Sequence, residues 1–160
     1  WEIVGLGEID AGALGRNLGV PYTDIPDPFG DCHDSYGDHF TGLLRQSAEL
    51  IDVPVEFESN TDLYESGRFD EAVDTVLSNV GLAAETLAKY QDSADADDIP
   101  FMAQCPECGK LTTEVFDLDL DERTIGFVCS GMEAGGEQID GCGHEGRVSL
   151  REGKLSWRFE

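Results

Sequence analysis

Positive charge is what this chain has least of. Its 160 residues hold 10 Lys+Arg against 34 Asp+Glu, a formal net charge of −24, and only three of the ten are lysines. A surface so dominated by carboxylates repels itself at low salt. It belongs either to an acidic, disordered partner-binding chain or to a folded protein adapted to concentrated salt. A hydrophobic content of 40% argues against disorder. The acids are also spread along the chain instead of gathered in a tail, so the halophilic reading is preferred. The same imbalance removes overall basicity as a test for nucleic-acid binding, and only local reversals of charge are informative.

Long apolar runs are missing too. No stretch approaches the roughly 20 residues that span a bilayer, and no secretory signal is present, so the expected location is the cytoplasm, with no membrane partner. The chain starts at Trp1 without an initiator methionine, and its first ten residues carry no helix cap or strand alternation. It is expected to be a piece of a longer protein. At 17.4 kDa there is room for one ordinary domain and a small appended module.

Hydrophobic spacing supplies the elements. In "DSYGDHFTGLLRQSAELI", Tyr36, Phe40, Leu43, Ser47 and Leu50 recur at helical spacing. In "VPVEFES", Val53, Val55 and Phe57 alternate as in a half-buried strand, giving a βαβ-like rhythm. A broad stripe of Phe69, Ala72, Val73, Val76, Leu77, Val80, Ala84 and Leu87 predicts a helix that runs through Gly81. Residues 93–100, "SADADDIP", suit a linker. The expected organisation is α/β: a core segment over 1–92, that linker, and a β module over 101–160.

The module carries four of the five cysteines and six of the ten basic residues. Cys105 and Cys108 form a C-x2-C pair in "CPECGK". Cys129 and Cys142 bracket a glycine-rich stretch, with His144 two residues further on. A tetrahedral zinc takes four such ligands, and C-x2-C on a tight turn supplies two thiolates to one ion. A disulfide framework fits poorly with five cysteines and no secretory signal. A thioredoxin-like dithiol would open a helix, whereas "KLTTEVFDLDL" is strand-like. The predicted ligands are Cys105, Cys108, Cys129 and Cys142, with His144 the alternative fourth. A fully protein-ligated Zn2+ has no place for water and holds the fold without doing chemistry.

The stretch "IPDPFGDCHDSYGDHF", residues 25–40, gathers a cysteine, four aspartates and two of the three histidines. On one helix His33 and His39 would lie about 120° apart and could not grip one ion together. His39 shares a face with Tyr36 and Leu43, so its expected role is that of a hydrogen-bonded core histidine.

Taken in order, "IPDPFG", "CH", "SY", "HF", "ESNTDLYESGRFDEAV", "CPECG" and "GCGHEG…GKLSW" resemble the class I lysyl-tRNA synthetases. The resemblance runs from about Leu18 to the end of the chain. It implies part of a Rossmann-type catalytic core followed by a zinc-ribbon-like insertion, in an enzyme that uses lysine, ATP with Mg2+, and tRNA-Lys. In the family Gly-Cys-His is usual, and here Asp31 separates Gly30 from Cys32. The HIGH-type and KMSKS-type motifs that hold ATP are absent from these residues, and most of the family's lysine pocket lies outside them. The 160 residues alone are therefore expected to be inactive.

The resemblance also lends meaning to "GRVSLREGKLSWRFE". A two-residue turn at Glu152–Gly153 would place Val148, Leu150, Leu155, Trp157 and Phe159 on one face, and Arg147, Arg151, Lys154 and Arg158 on the other. Those four cations are candidate contacts to the tRNA backbone; the alternative is a solvated face. The rival to the synthetase reading is a freestanding acidic zinc-ribbon adaptor. A zinc hydrolase would need an open metal position and a general base that the cysteine pattern does not offer.

Overall fold

The computed structural model describes residues 11–30, 32–89, 98–156 and 159. Two compact units divide it at Ser59/Asn60. Most of the expected linker falls at 93–97, outside the described residues.

The first unit contains α1 (Ala11–Arg16) and α2 (Tyr36–Leu50). Ser35 caps α2: its hydroxyl accepts the Asp38 amide at 3.0 Å and donates to the Asp38 carboxylate at 2.7 Å. Two more first-turn amides, which a helix leaves without internal partners, donate to the Pro-rich segment. Tyr36 N–H reaches Ile25 O at 2.8 Å, and Gly37 N–H reaches Tyr22 O at 2.9 Å. These bonds fold residues 21–29 back along the start of the helix. The helix closes through Asp52, which has φ 53°, while Val53 N–H donates to Ala48 O.

The strand expected over Val53, Val55 and Phe57 is not formed. Those residues belong to no strand among the described residues, and both valines are exposed. Alternation marks a strand only where a partner edge exists to complete the ladder.

The second unit opens with α3 (Asn60–Glu65), α4 (Asp70–Leu77) and α5 (Val80–Ala88). The stripe read as one helix is thus two, parted at Ser78–Asn79, where Asn79 N–H bonds Val76 O and Ala83 N–H restarts the ladder on Asn79 O.

Among the described residues seven strands follow: β1 (Phe101–Ala103), β2 (Glu114–Asp119), β3 (Thr124–Val128), β4 (Gly131–Ala134), β5 (Glu137–Asp140), β6 (Glu145–Ser149) and β7 (Gly153–Leu155). They form three small antiparallel sheets, β1-β7, β2-β3-β6 and β4-β5. One core joins helices to strands: Tyr64, Val73 and Leu77 are buried with Phe101, Ile125, Phe127, Val148, Leu150 and Leu155. The buried Tyr64 hydroxyl accepts the Leu155 amide at 2.8 Å.

The hairpin expected at Glu152–Gly153 is replaced by a wider turn. β6 pairs with β3 and β7 with β1, so Arg151 does not face Lys154 across a ladder. Ser149 N–H bonded to the Glu152 carboxylate, and Glu152 N–H bonded to Ser149 O, hold that turn. The inward set was read correctly where it is described, with Val148, Leu150 and Leu155 all buried.

Candidate metal centres

The four cysteine sulfurs of the module meet at one point. Cys105 follows β1 on a turn in which Gly109 N–H bonds Cys105 O at 2.8 Å and Cys105 N–H bonds Lys110 O at 2.9 Å. Cys129 follows β3, and the β4-β5 hairpin carries the chain out and back to Cys142. There Gly143 N–H bonds Cys129 O at 3.0 Å, and the Cys142 amide donates to Cys129 Sγ at 3.4 Å. Gly109 (φ 73°) and Gly143 (φ 77°) take the left-handed conformation that each tight turn requires. Lys110 Nζ donates to Asp140 O at 2.7 Å, tying the base of the hairpin to the first cysteine turn.

The four Sγ atoms all lie within 4.8 Å of one another. Cys105 and Cys142 are separated by 3.6 Å, Cys108 and Cys129 by 3.7 Å. No disulfide is present, and these separations are far beyond the ~2.05 Å of one. Four sulfurs at ~2.3 Å from a tetrahedral ion stand about 3.8 Å apart, so the donor set fits zinc in number, softness and spacing.

Charge points the same way. Burial pushes the Cys108 thiol up to about 12 and raises Cys105, while the His144 amide and neighbouring thiols bring Cys142 down to about 7. A bound cation would offset that burial and let Cys105 and Cys108 bind as thiolates. His144 stands outside the group. Its carbonyl accepts the Cys129 amide at 2.8 Å, and its ring centroid lies 5.7 Å from that of Phe127.

A second cluster forms in the first unit, where the sequence reading expected none. Asp27, Cys32, His33 and His39 present ligand atoms within 4.8 Å of one another. His39 Nδ1 lies 3.1 Å from Asp27 Oδ2, and Cys32 Sγ lies 3.1 Å from both Asp27 Oδ2 and His33 Nδ1. The two imidazole centroids are 4.9 Å apart. The helical angle that kept the histidines apart does not apply, because the helix starts after Ser35 and His33 sits on the preceding turn. His39 does have the buried, hydrogen-bonded setting foreseen for it. Burial would raise the Asp27 carboxyl, but the Phe29 amide, the Cys32 thiol and His39 outweigh it and bring it down to about 2. One carboxylate, one sulfur and two imidazoles make a donor set that suits a borderline divalent ion. The density of Asp, Cys and His in 25–40 was the available signal; the assumption of one continuous helix hid it.

Three of the four candidate tRNA contacts lie among the described residues, on different elements. Arg147 on β6 pairs with Asp117 and donates to Thr124 Oγ1 at 3.0 Å. Arg151, in the β6-β7 turn, grips both Asp70 oxygens at 3.1 and 2.5 Å. Lys154 lies on β7 opposite Met102. Arg158 lies outside the described residues. Arg123 joins the same corner, with Nη2 2.9 Å from Asp70 Oδ1 and Nη1 paired with Asp74. Asp70 therefore anchors α4 to two turns of the module.

No helix among the described residues is long and apolar enough to cross a membrane. Residues 7–160 match the family model described as tRNA synthetases class I (K). The proteins called "Lysine--tRNA ligase" from Natronomonas pharaonis and Haloarcula marismortui are 62% and 59% identical to this chain over 160 residues, covering all of it and 29% of each relative. That of Halobacterium salinarum is 52% identical over 159 residues, again 29% of its length. The chain thus spans about three-tenths of the curated relatives it matches. The matches run through both units, which a freestanding zinc-ribbon adaptor does not account for.

Proposed function

Since the chain belongs to the class I tRNA synthetases of the lysine type, we propose that it is a segment of a cytoplasmic, salt-adapted lysine–tRNA ligase and that its part is structural. The complete enzyme would activate lysine with ATP and Mg2+ as lysyl-adenylate, and the terminal ribose hydroxyl of tRNA-Lys would then attack the activated carbonyl. The observation that carries the reading is the family match across residues 7–160, which takes in both ligand clusters.

Within that enzyme residues 1–92 would belong to a Rossmann-type core, and residues 101–160 would form the zinc-ribbon-like insertion. Cys105, Cys108, Cys129 and Cys142 would hold one Zn2+, with His144 orienting Cys142 through its backbone. Asp27, Cys32, His33 and His39 would hold a second divalent ion. When bound, each ion supplies cross-linking charge that lets its ligands ionise and stay together. At the Asp27 cluster the Phe29 ring packs 4.5 Å from the His39 ring and helps orient it.

Arg147, Arg151, Lys154 and Arg158 remain the proposed contacts to tRNA phosphates. For Arg147 and Arg151 a phosphate would compete with Asp117 and Asp70. The test is lysine-dependent ATP–pyrophosphate exchange. The full-length polypeptide carrying these residues should catalyse it, and the 160 residues alone should not. A full-length protein without lysine-dependent exchange would overturn the reading.

A further inference from the structure

The four sulfurs of the cysteine cluster are not equivalent. Cys105 and Cys129 are fully buried in the core of the second unit, whereas Cys108 is half-buried and Cys142 is exposed among the described residues. Each outer sulfur stands against a buried one brought from the other side of the cluster. Cys142 lies 3.6 Å from Cys105, and Cys108 lies 3.7 Å from Cys129. An accessible thiolate with a sheltered second thiol beside it is the arrangement in which oxidation ends in a disulfide instead of running on to the irreversible acids. Closing 3.6 Å to the ~2.05 Å of a disulfide needs a small shift of one sulfur. No side chain flanks Cys142, which stands between Gly141 and Gly143.

We propose that the cluster is a reversible oxidation site for hydrogen peroxide, in which Cys142 is the reacting sulfur and Cys105 the one that resolves it. With zinc bound, both are thiolates. Cys142 attacks the O–O bond, keeps one oxygen as a sulfenic acid and releases the other as hydroxide. Cys105 then attacks the Cys142 sulfur, an S–S bond forms, and the sulfenic oxygen leaves as a second hydroxide. The sulfur pair gives up two electrons and the peroxide takes them; solvent protons turn both hydroxides into water. Two of the four donors are then lost and Zn2+ is released. The disulfide takes over its task of tying the first cysteine turn to the end of the β4-β5 hairpin. Cys108 and Cys129 can follow by the same route with a second peroxide. The inference rests on the zinc reading of the four cysteines.

The experiment titrates the zinc-loaded full-length protein with hydrogen peroxide, follows metal release with a chromophoric chelator, and maps disulfides by peptide mass spectrometry after free thiols are blocked. The first product should be the Cys105–Cys142 disulfide, with about one zinc released for each one formed. A dithiol reductant and added zinc should restore the starting state. The same peptide map reads Cys32, so metal lost from the Asp27 cluster is counted separately. Three results would overturn the proposal and leave the zinc reading standing: a first disulfide between Cys105 and Cys108 or between Cys129 and Cys142, sulfinic acid at Cys142 without a disulfide, or intact thiols and retained zinc under a large excess of peroxide. Protein whose four cysteines hold no zinc at the outset would overturn both.

Discussion

Gly42 shows how closely one residue can be bound to a site it does not ligate. A Cβ added there would stand 2.8 Å from His33 Nε2, so any side chain must displace the imidazole. Gly42→Ala should weaken metal binding at the Asp27 cluster by about tenfold or more, as losses of orienting contacts do, and leave the four-cysteine site unchanged. Competition with a chromophoric chelator measures both; equal affinity at the first site would mean that His33 is not a ligand. Asp70 has the other kind of reach. The Arg151 hydrogen bonds, with the charges of Arg123 and Arg151, outweigh its partial burial and hold its carboxyl below the usual range. A folded-state pKa below the unfolded value of about 3.9 gives stability that is fully present above that pH and lost as pH falls through the folded value. Asp70→Asn should therefore lower stability by about 1 kcal/mol at neutral pH. Urea midpoints of variant and parent should converge in acid below the folded pKa; a constant gap at every pH would contradict this origin.

Elements were legible where local chemistry and tertiary partners agreed. Helix α2 is foreseen by its spacing and secured by Ser35; Ser35→Ala should cost about 1 kcal/mol in urea unfolding, and an unchanged midpoint would make the cap incidental. The four cysteines could be read because C-x2-C carries its turn with it. What stayed hidden depended on partners distant in sequence. The β6 and β7 strands looked like one hairpin because they are adjacent, but β3 and β1 compete for them and win. Val53 to Phe57 alternate like a strand, with no ladder partner among the described residues. The α4-α5 break leaves little trace in a stripe that continues across it. The helical angle that parts His33 from His39 does not apply, because α2 starts three residues too late to contain His33.

For the whole molecule, charge and metal should act together. With a net charge of −24, raising salt from about 0.1 M to about 1 M shortens the Debye length from roughly 10 Å to roughly 3 Å and relieves carboxylate repulsion. The melting temperature should rise across that range, and one that did not move would contradict salt adaptation. The two ligand clusters would hold the fold against the same repulsion, the cysteines by joining turns 37 residues apart and the Asp27 cluster by pinning the Pro-rich segment to the start of α2. The most direct test of that claim is the metal content of protein purified without chelator. Elemental analysis should give about two divalent ions per chain, falling to about one in Cys108→Ser and to about one in His39→Ala, with loss of ordered structure when a chelator strips both. Protein that is fully folded and free of metal would contradict it.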